Sequence, residues 1–164
     1  IQIMNIYDFL QNRFKLNTRK DYNNFDLTEN TKKILCDIGI PKEPLGFIKF
    51  NIDELKTLKH EDDFVIIGTD LGTNICINKN DEIISVDFEN EYPTRLINKN
   101  LESFLHFIVI FLLHEDEINS ADDDTISQII QKIKVEFEQI DELALNNQEN
   151  WWPIILEQIE TGMM

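Results

Sequence analysis

The chain carries three histidines, His60, His106 and His114. General acid–base chemistry needs one of them within hydrogen-bond reach of a nucleophile, and beside a carboxylate that orients the ring. No such set is visible. His106 falls in a largely apolar helical stretch, where a satisfied, partly buried side chain is expected, and His114 falls at the end of that stretch, where the helix dipole favours a cation. Gly68 and Gly72 flank a turn rather than forming a phosphate-cradling loop or a nucleophile elbow.

Metal chemistry fares no better. Asn78, Asn80 and Glu82 alternate like the first ligands of a calcium loop, and Glu89 stands where the closing acid would be, but Ile83 occupies the position that needs glycine. A plain hairpin turn accounts for these residues. Asp122, Asp123 and Asp124 read as the acidic start of a helix, whose dipole they complement without any ion. Cys36 and Cys76 lie far from each other and from any histidine at ligand spacing, so neither a disulfide framework nor a zinc site is expected. No catalytic residue, cofactor or metal is assigned.

Binding chemistry is better represented. Trp151 and Trp152 are adjacent, so a helix cannot aim both at one surface, and Trp151 is a candidate interface anchor if it is not core. Tyr7, Tyr22 and Tyr92 do not interleave with basic residues, which argues against a platform for stacking nucleic-acid bases. The charge is more informative: 31 acids against 15 bases give a net −16, which opposes direct contact with nucleic acid or an anionic membrane and favours a basic protein partner. The excess is uneven. Residues 114–164 hold 13 acids and two bases, a net −11, and the rest of the chain carries −5. Asp87, Glu89 and Glu91 alternate along and beyond a strand, so they should share one face or edge of a sheet. Glu115, Asp116 and Glu117, with Asp122 to Asp124, form a second cluster, expected in a loop. A solvated surface explains such runs as readily as a binding face does.

The elements that position these residues follow from periodicity. Apolar positions three or four apart predict a helix over Ile3–Phe14, and a capped second helix over Thr28–Ile38, stopped by Gly39 with Pro41 beyond. A polar connection, NTRKDYNN, separates them. From Phe47 the period becomes two: FIKFNI, FVIIG, TNICINK, IISVDF and Thr94–Asn98 predict an antiparallel meander, with turn chemistry at Asn78–Glu82 and Pro93 at the first residues of the last strand. Three helices should follow. The first is capped by Asn98 or Asn100 and buried on most sides; the second, expected to be the longest, runs from Asp122 through Leu143; the third is capped by Asn150 with Pro153 in its first turn and Gly162 at its end. The 164 residues are sized for one domain of α+β class.

The opening IQIMNIYDFL lacks the pattern of a signal peptide, and Met4 is expected to be the native start. The longest apolar run, Phe107–Leu113, is far below the roughly 20 residues that span a bilayer, so cytoplasmic residence is expected.

Over the region from about Ile34 to Leu113, the sequence resembles the SUKH superfamily, the Smi/Knr-like fold of bacterial immunity proteins. The resemblance rests on the turn Ile38–Pro41 after an early helix, on a strand closing with Gly68-Thr69-Asp70, and on a strand, turn and strand over NICINKNDEIISVDF. It also rests on Asn98 ahead of a helix holding the pair Phe104-Leu105. The closing WWPIILEQI is similar to the tail of one branch. Members often carry an Asp-Gly pair where this chain has Asp81-Glu82, so that hairpin should be longer or bulged. The resemblance implies a protein that binds and neutralises a cognate secreted toxin by stoichiometric occlusion, and that is not an enzyme. A toxin domain that acts on nucleic acids would be basic, and Asp70 joins the acids above as a candidate contact. The rival readings are a scaffold or regulatory module of the same fold that binds another protein, and an enzyme with an unrecognised site. Oligomeric state is left open.

Overall fold

The computed structural model describes residues 5–53, 56–59 and 63–163. Ile3, Met4 and His60 lie outside them. The chain opens with α1 (Ile6–Arg13), whose first turn is capped by the Asn5 side chain, and with β1 (Leu16–Asn17). The polar connection read as irregular holds a 3₁₀ turn at Lys20–Asn24. That turn buries Tyr22 completely and lets its hydroxyl donate to the Ile66 carbonyl at 3.0 Å. Composition hid this, because a single aromatic among polar residues has no period. The second helix starts as expected, with the Thr28 hydroxyl accepting from the Thr31 amide. It runs as α2 (Glu29–Lys33) into a π-helical turn, Ile34–Ile38, and stops at Gly39. β2 (Ile40–Pro41) then pairs with β1.

The meander is present and antiparallel throughout: β3 (Ile48–Phe50), β4 (Lys56–Lys59), β5 (Asp63–Asp70), β6 (Thr73–Ile77), β7 (Ile83–Val86) and β8 (Thr94–Asn98). The order is β3-β5-β6-β7-β8, and β3 and β4 share one edge of β5, pairing with its second and first halves. The polar KTLK of β4 gave no strand signal. Gly68 sits where β3 crosses closest to β5: a Cβ there would lie 2.5 Å from the Lys49 carbonyl oxygen, so any side chain would push the two strands apart.

The Asn78–Glu82 turn joins β6 to β7 without a glycine. The Asn78 side chain accepts from the amides of Asn80 and Glu82, both at 3.0 Å, and Asp81 takes the left-handed conformation at φ 65°. Asx chemistry thus shapes a five-residue connection, Asn78–Glu82, longer than a two-residue Asp-Gly turn, as expected. The Asp81 carboxylate also accepts from Thr28 and Thr31, both at 2.9 Å, fastening the hairpin to the start of α2.

One face of the sheet presents Val65, Ile67, Ile75, Ile77, Ile83 and Ile97 to the main core. Over it lies α3 (Leu101–Ser120), capped by Asn100 rather than Asn98, with its buried residues confined to the first half, from Leu101 to Ile110. At 20 residues it is longer than α4 (Asp123–Ile140), which has 18, contrary to the order expected. α4 ends at Ile140, before Leu143, which is exposed in a 3₁₀ turn at Glu142–Leu145. α5 (Trp151–Glu160) closes the fold. Asn150 holds its N-cap position but turns its amide to the carbonyls of Leu143 and Ala144 instead of capping. The core centres on Trp152, whose ring meets those of Phe137 at 5.0 Å and Phe107 at 5.7 Å, while Phe107 and Phe137 stack at 3.8 Å. Each such pair adds about 0.5–1.5 kcal/mol beyond the area it buries.

The other face carries a smaller apolar cluster of Phe64, Cys76, Ile84 and Val86, flanked by Leu58, Ile66 and Leu96. Among the described residues, no helix is long and apolar enough to cross a membrane.

Candidate partner-binding surface

The β5–β6 turn and the β7–β8 connection lie at one end of the sheet, because Asp70 pairs with Thr73 and Val86 pairs with both Asn74 and Thr94. The segment leading into β3 reaches the same end, since Ile48 pairs with Asp70. The start of α5 is tied there through Trp151.

Asp70 is 8% exposed, and its carboxylate accepts from the indole nitrogen of Trp151 and from the Thr73 hydroxyl. Burial pushes its carboxyl above the usual range, against the opposing pull of these two hydrogen bonds. Trp151, 4% exposed, packs its ring against Phe47 at 5.7 Å, Phe104 at 6.1 Å and Trp152 at 4.8 Å. Neither residue is therefore a surface contact: the anchor expected at Trp151 is core, and Asp70 is held beneath the surface by it. What reaches solvent is the turn they support. Leu71 and Gly72 both have positive φ, 40° and 106°, the pattern of a type I′ hairpin turn. Gly72 fits such a turn; leucine does not, and a left-handed non-glycine residue costs roughly 1–2 kcal/mol. Leu71 is nonetheless 86% exposed. Sequence reasoning missed it, although the one available signal was a leucine between Asp70 and Gly72 at the crossing of two strands.

Asp87, Glu89 and Glu91 do not alternate on a strand, because β7 ends at Val86. They occupy the β7–β8 connection, where the Asp87 side chain accepts from the Glu89 amide at 3.1 Å and the Asp87 amide donates to the Pro93 carbonyl at 2.8 Å. Hydrogen bonding within the turn replaced the extension that the period implied. Glu89 and Glu91 are exposed there, beside Tyr92 at 47% and Phe88 at 37% exposure. Phe88 folds back to meet Phe64 at 6.1 Å, and the Arg95 guanidinium lies 4.7 Å from the Tyr92 ring centroid. Arg95 also reaches Glu149, pairing with its carboxylate at 3.1 Å and its carbonyl at 2.7 Å. Glu149, a further acid at this end, was not singled out from the sequence.

Glu115, Asp116 and Glu117 lie in the last turns of α3, not in a loop: nothing between Leu113 and Ser120 breaks the helix. Glu115 lines a shallow apolar dimple with Leu45, Gly46 and Phe47, which sets it near the same end of the sheet. His114 is accordingly inside the helix, where its Nε2 is hydrogen-bonded to the Glu136 carboxylate of α4 at 2.8 Å and its Nδ1 lies 3.3 Å from the Glu117 carboxylate. Asp122 caps α4 through a reciprocal capping box with Thr125, and those hydrogen bonds lower its carboxyl below the ordinary range. Asp123 and Asp124 are exposed in the first turn behind it.

A groove of about 680 Å³ at the start of α3 gathers Tyr7, Glu102 and His106. Burial lowers His106 below its usual value, with Glu102 opposing; burial and then Glu102 raise the Tyr7 hydroxyl above its own. Lys99 and Ser103 also line the groove, and Ser103 is buried. Among the described residues, no group of three or more His, Cys, Asp or Glu side chains is arranged to hold a metal ion.

The family model described as SUKH-4 immunity protein matches residues 18–158. The chain belongs to that family. No curated protein and no solved structure matches it.

Proposed function

We propose that this protein is an immunity protein that binds a cognate secreted toxin domain and neutralises it by one-to-one occlusion, without catalysis. The match of an immunity-protein family across residues 18–158 carries this reading. The surface agrees with it in kind: rigid elements present exposed loops at one end of a sheet, and the net charge of −16 suits a basic partner. An acidic inhibitor of a basic toxin associates quickly through long-range attraction and covers the toxin's substrate-binding face with charge of the substrate's own sign. The test is to express the toxin domain encoded by the neighbouring reading frame with and without this chain. Restored growth together with a one-to-one complex on size exclusion is expected. Loss of viability despite abundant folded protein, with no complex formed, defeats the reading.

A further inference from the structure

We infer that Leu71 is the apolar anchor that enters a pocket on the toxin, and that the acids around it face a basic rim on that partner. This rests on the immunity function proposed above and adds where contact is made and by what chemistry.

Three observations converge on the residue. It is 86% exposed, so its apolar surface restricts the water around it, a cost that is removed only when that surface is covered. Its backbone is left-handed at φ 40°, in a turn where asparagine, aspartate or glycine would be unstrained. Strain that the fold does not use for its own packing is characteristic of binding sites. The turn is also rigid, because Asp70 beneath it is bound to Thr73 and to the indole of Trp151, which is itself core. A rigid turn loses little entropy when it docks, so a preorganised apolar tip is an efficient anchor.

Charge identifies the occupant. Glu89 and Glu91 are exposed on the loop at the same end of the sheet, and Glu149 is bound to Arg95 of the adjacent strand. An apolar tip flanked by acids fits a basic protein surface with an apolar pocket. A second copy of this chain fits poorly, since two chains of −16 repel.

The test uses the full chain and the purified toxin domain from the neighbouring reading frame. Leu71→Asn should unfold at the same or a higher temperature, because asparagine tolerates the left-handed region. It should nevertheless bind the toxin domain at least about 10-fold more weakly, through faster dissociation. Leu71→Gly, which frees the backbone in a different way, should bind as weakly. Wild-type affinity in either variant while folded overturns the anchor and leaves the immunity function standing. So does self-association of the wild type that Leu71→Asn abolishes. Failure of the wild type itself to bind or protect overturns the immunity function, and the anchor falls with it.

Discussion

The indole nitrogen of Trp152 donates to the side-chain oxygen of Asn98 at 2.9 Å, and the Asn98 amide in turn donates to Asp141 at 3.0 Å. This chain joins the end of β8, the end of α4 and the start of α5 inside the core, where Trp152 and Asn98 have no exposed surface. The Lys99 amide adds a second donor to Asp141 at 2.8 Å. The asparagine that reads as a helix cap is thus the hub of a buried polar network, while Asn100 does the capping.

Replacing Asn98 by alanine should leave the Trp152 N–H without its partner, while the Asp141 oxygen that Asn98 meets keeps the Lys99 amide as donor. At about 1–3 kcal/mol for a buried group left unsatisfied, the loss should be about 1–3 kcal/mol. In urea the unfolding midpoint should fall with an unchanged slope. A loss below about 0.5 kcal/mol, the range of ordinary surface substitutions, would mean that the network adds no net stability.

Asp70 gives a pH dependence whose sign is set by burial. Its folded pKa is raised, so the folded state binds its proton more readily than the unfolded state does. As pH falls through the raised value towards the ordinary carboxylate range, this group therefore adds stability; as pH rises through it, the stability is lost. Asp70→Asn removes the titration while retaining an acceptor for Trp151. The stability difference between wild type and this variant should shift in favour of the wild type on acidification from pH 7 to pH 4, measured by denaturant titration at each pH. A shift the other way would mean that the hydrogen bonds from Thr73 and Trp151 outweigh burial.

Asp122 has the opposite sign. The Thr125 amide and hydroxyl and the Asp124 amide hold its carboxyl low, so the stability it contributes is present above the ordinary carboxylate pKa and is lost as pH falls through the lowered value. Asp122→Asn keeps an acceptor at the cap and should unfold close to wild type, whereas Asp122→Ala should unfold at a lower temperature. Equal losses in the two variants would assign the effect to charge rather than to the cap.

Local chemistry with a period was legible in the sequence. The sequences of β6 and β7 alternate, β5 carries a short β-branched run, the caps at Thr28 and Asp122 precede apolar runs, and the structure has each of these elements. Contacts between distant residues were not. Asp70 and Trp151 are 81 residues apart, and each alone looks like a surface acid or a half-buried aromatic; only the fold turns them into a buried pair. β4 has no apolar alternation, since it is held by pairing with β5 rather than by burial. The acids at Glu115 to Glu117 read as a loop because charge ends an apolar run, although a helix continues wherever nothing breaks it. For Asp87, Glu89 and Glu91 the period of two continued past the last paired residue, and the Asx turn that Asp87 starts was concealed by it.

That turn also decides how the acidic rim should be tested. Replacing Asp87 would remove the acceptor that shapes the loop, so the charge is better reversed at Glu89 and Glu91, which are exposed and whose side chains do not organise the turn. If the partner is basic, Glu89→Lys with Glu91→Lys should slow association about 10-fold at low salt and change dissociation little, because rim charges act on encounter. The two proteins should then converge as salt rises, since the Debye length shrinks from about 10 Å at 0.1 M to about 3 Å at 1 M. Asp123→Lys with Asp124→Lys provides the comparison: both are exposed in the first turn of α4, and the Asp122 cap is spared. An effect confined to the Glu89 and Glu91 pair places the toxin at the Leu71 end of the sheet, and one confined to Asp123 and Asp124 places it at the corner between α3 and α4. If neither pair alters association at low salt while both proteins stay folded, the acids serve solubility and the charge does not steer the partner.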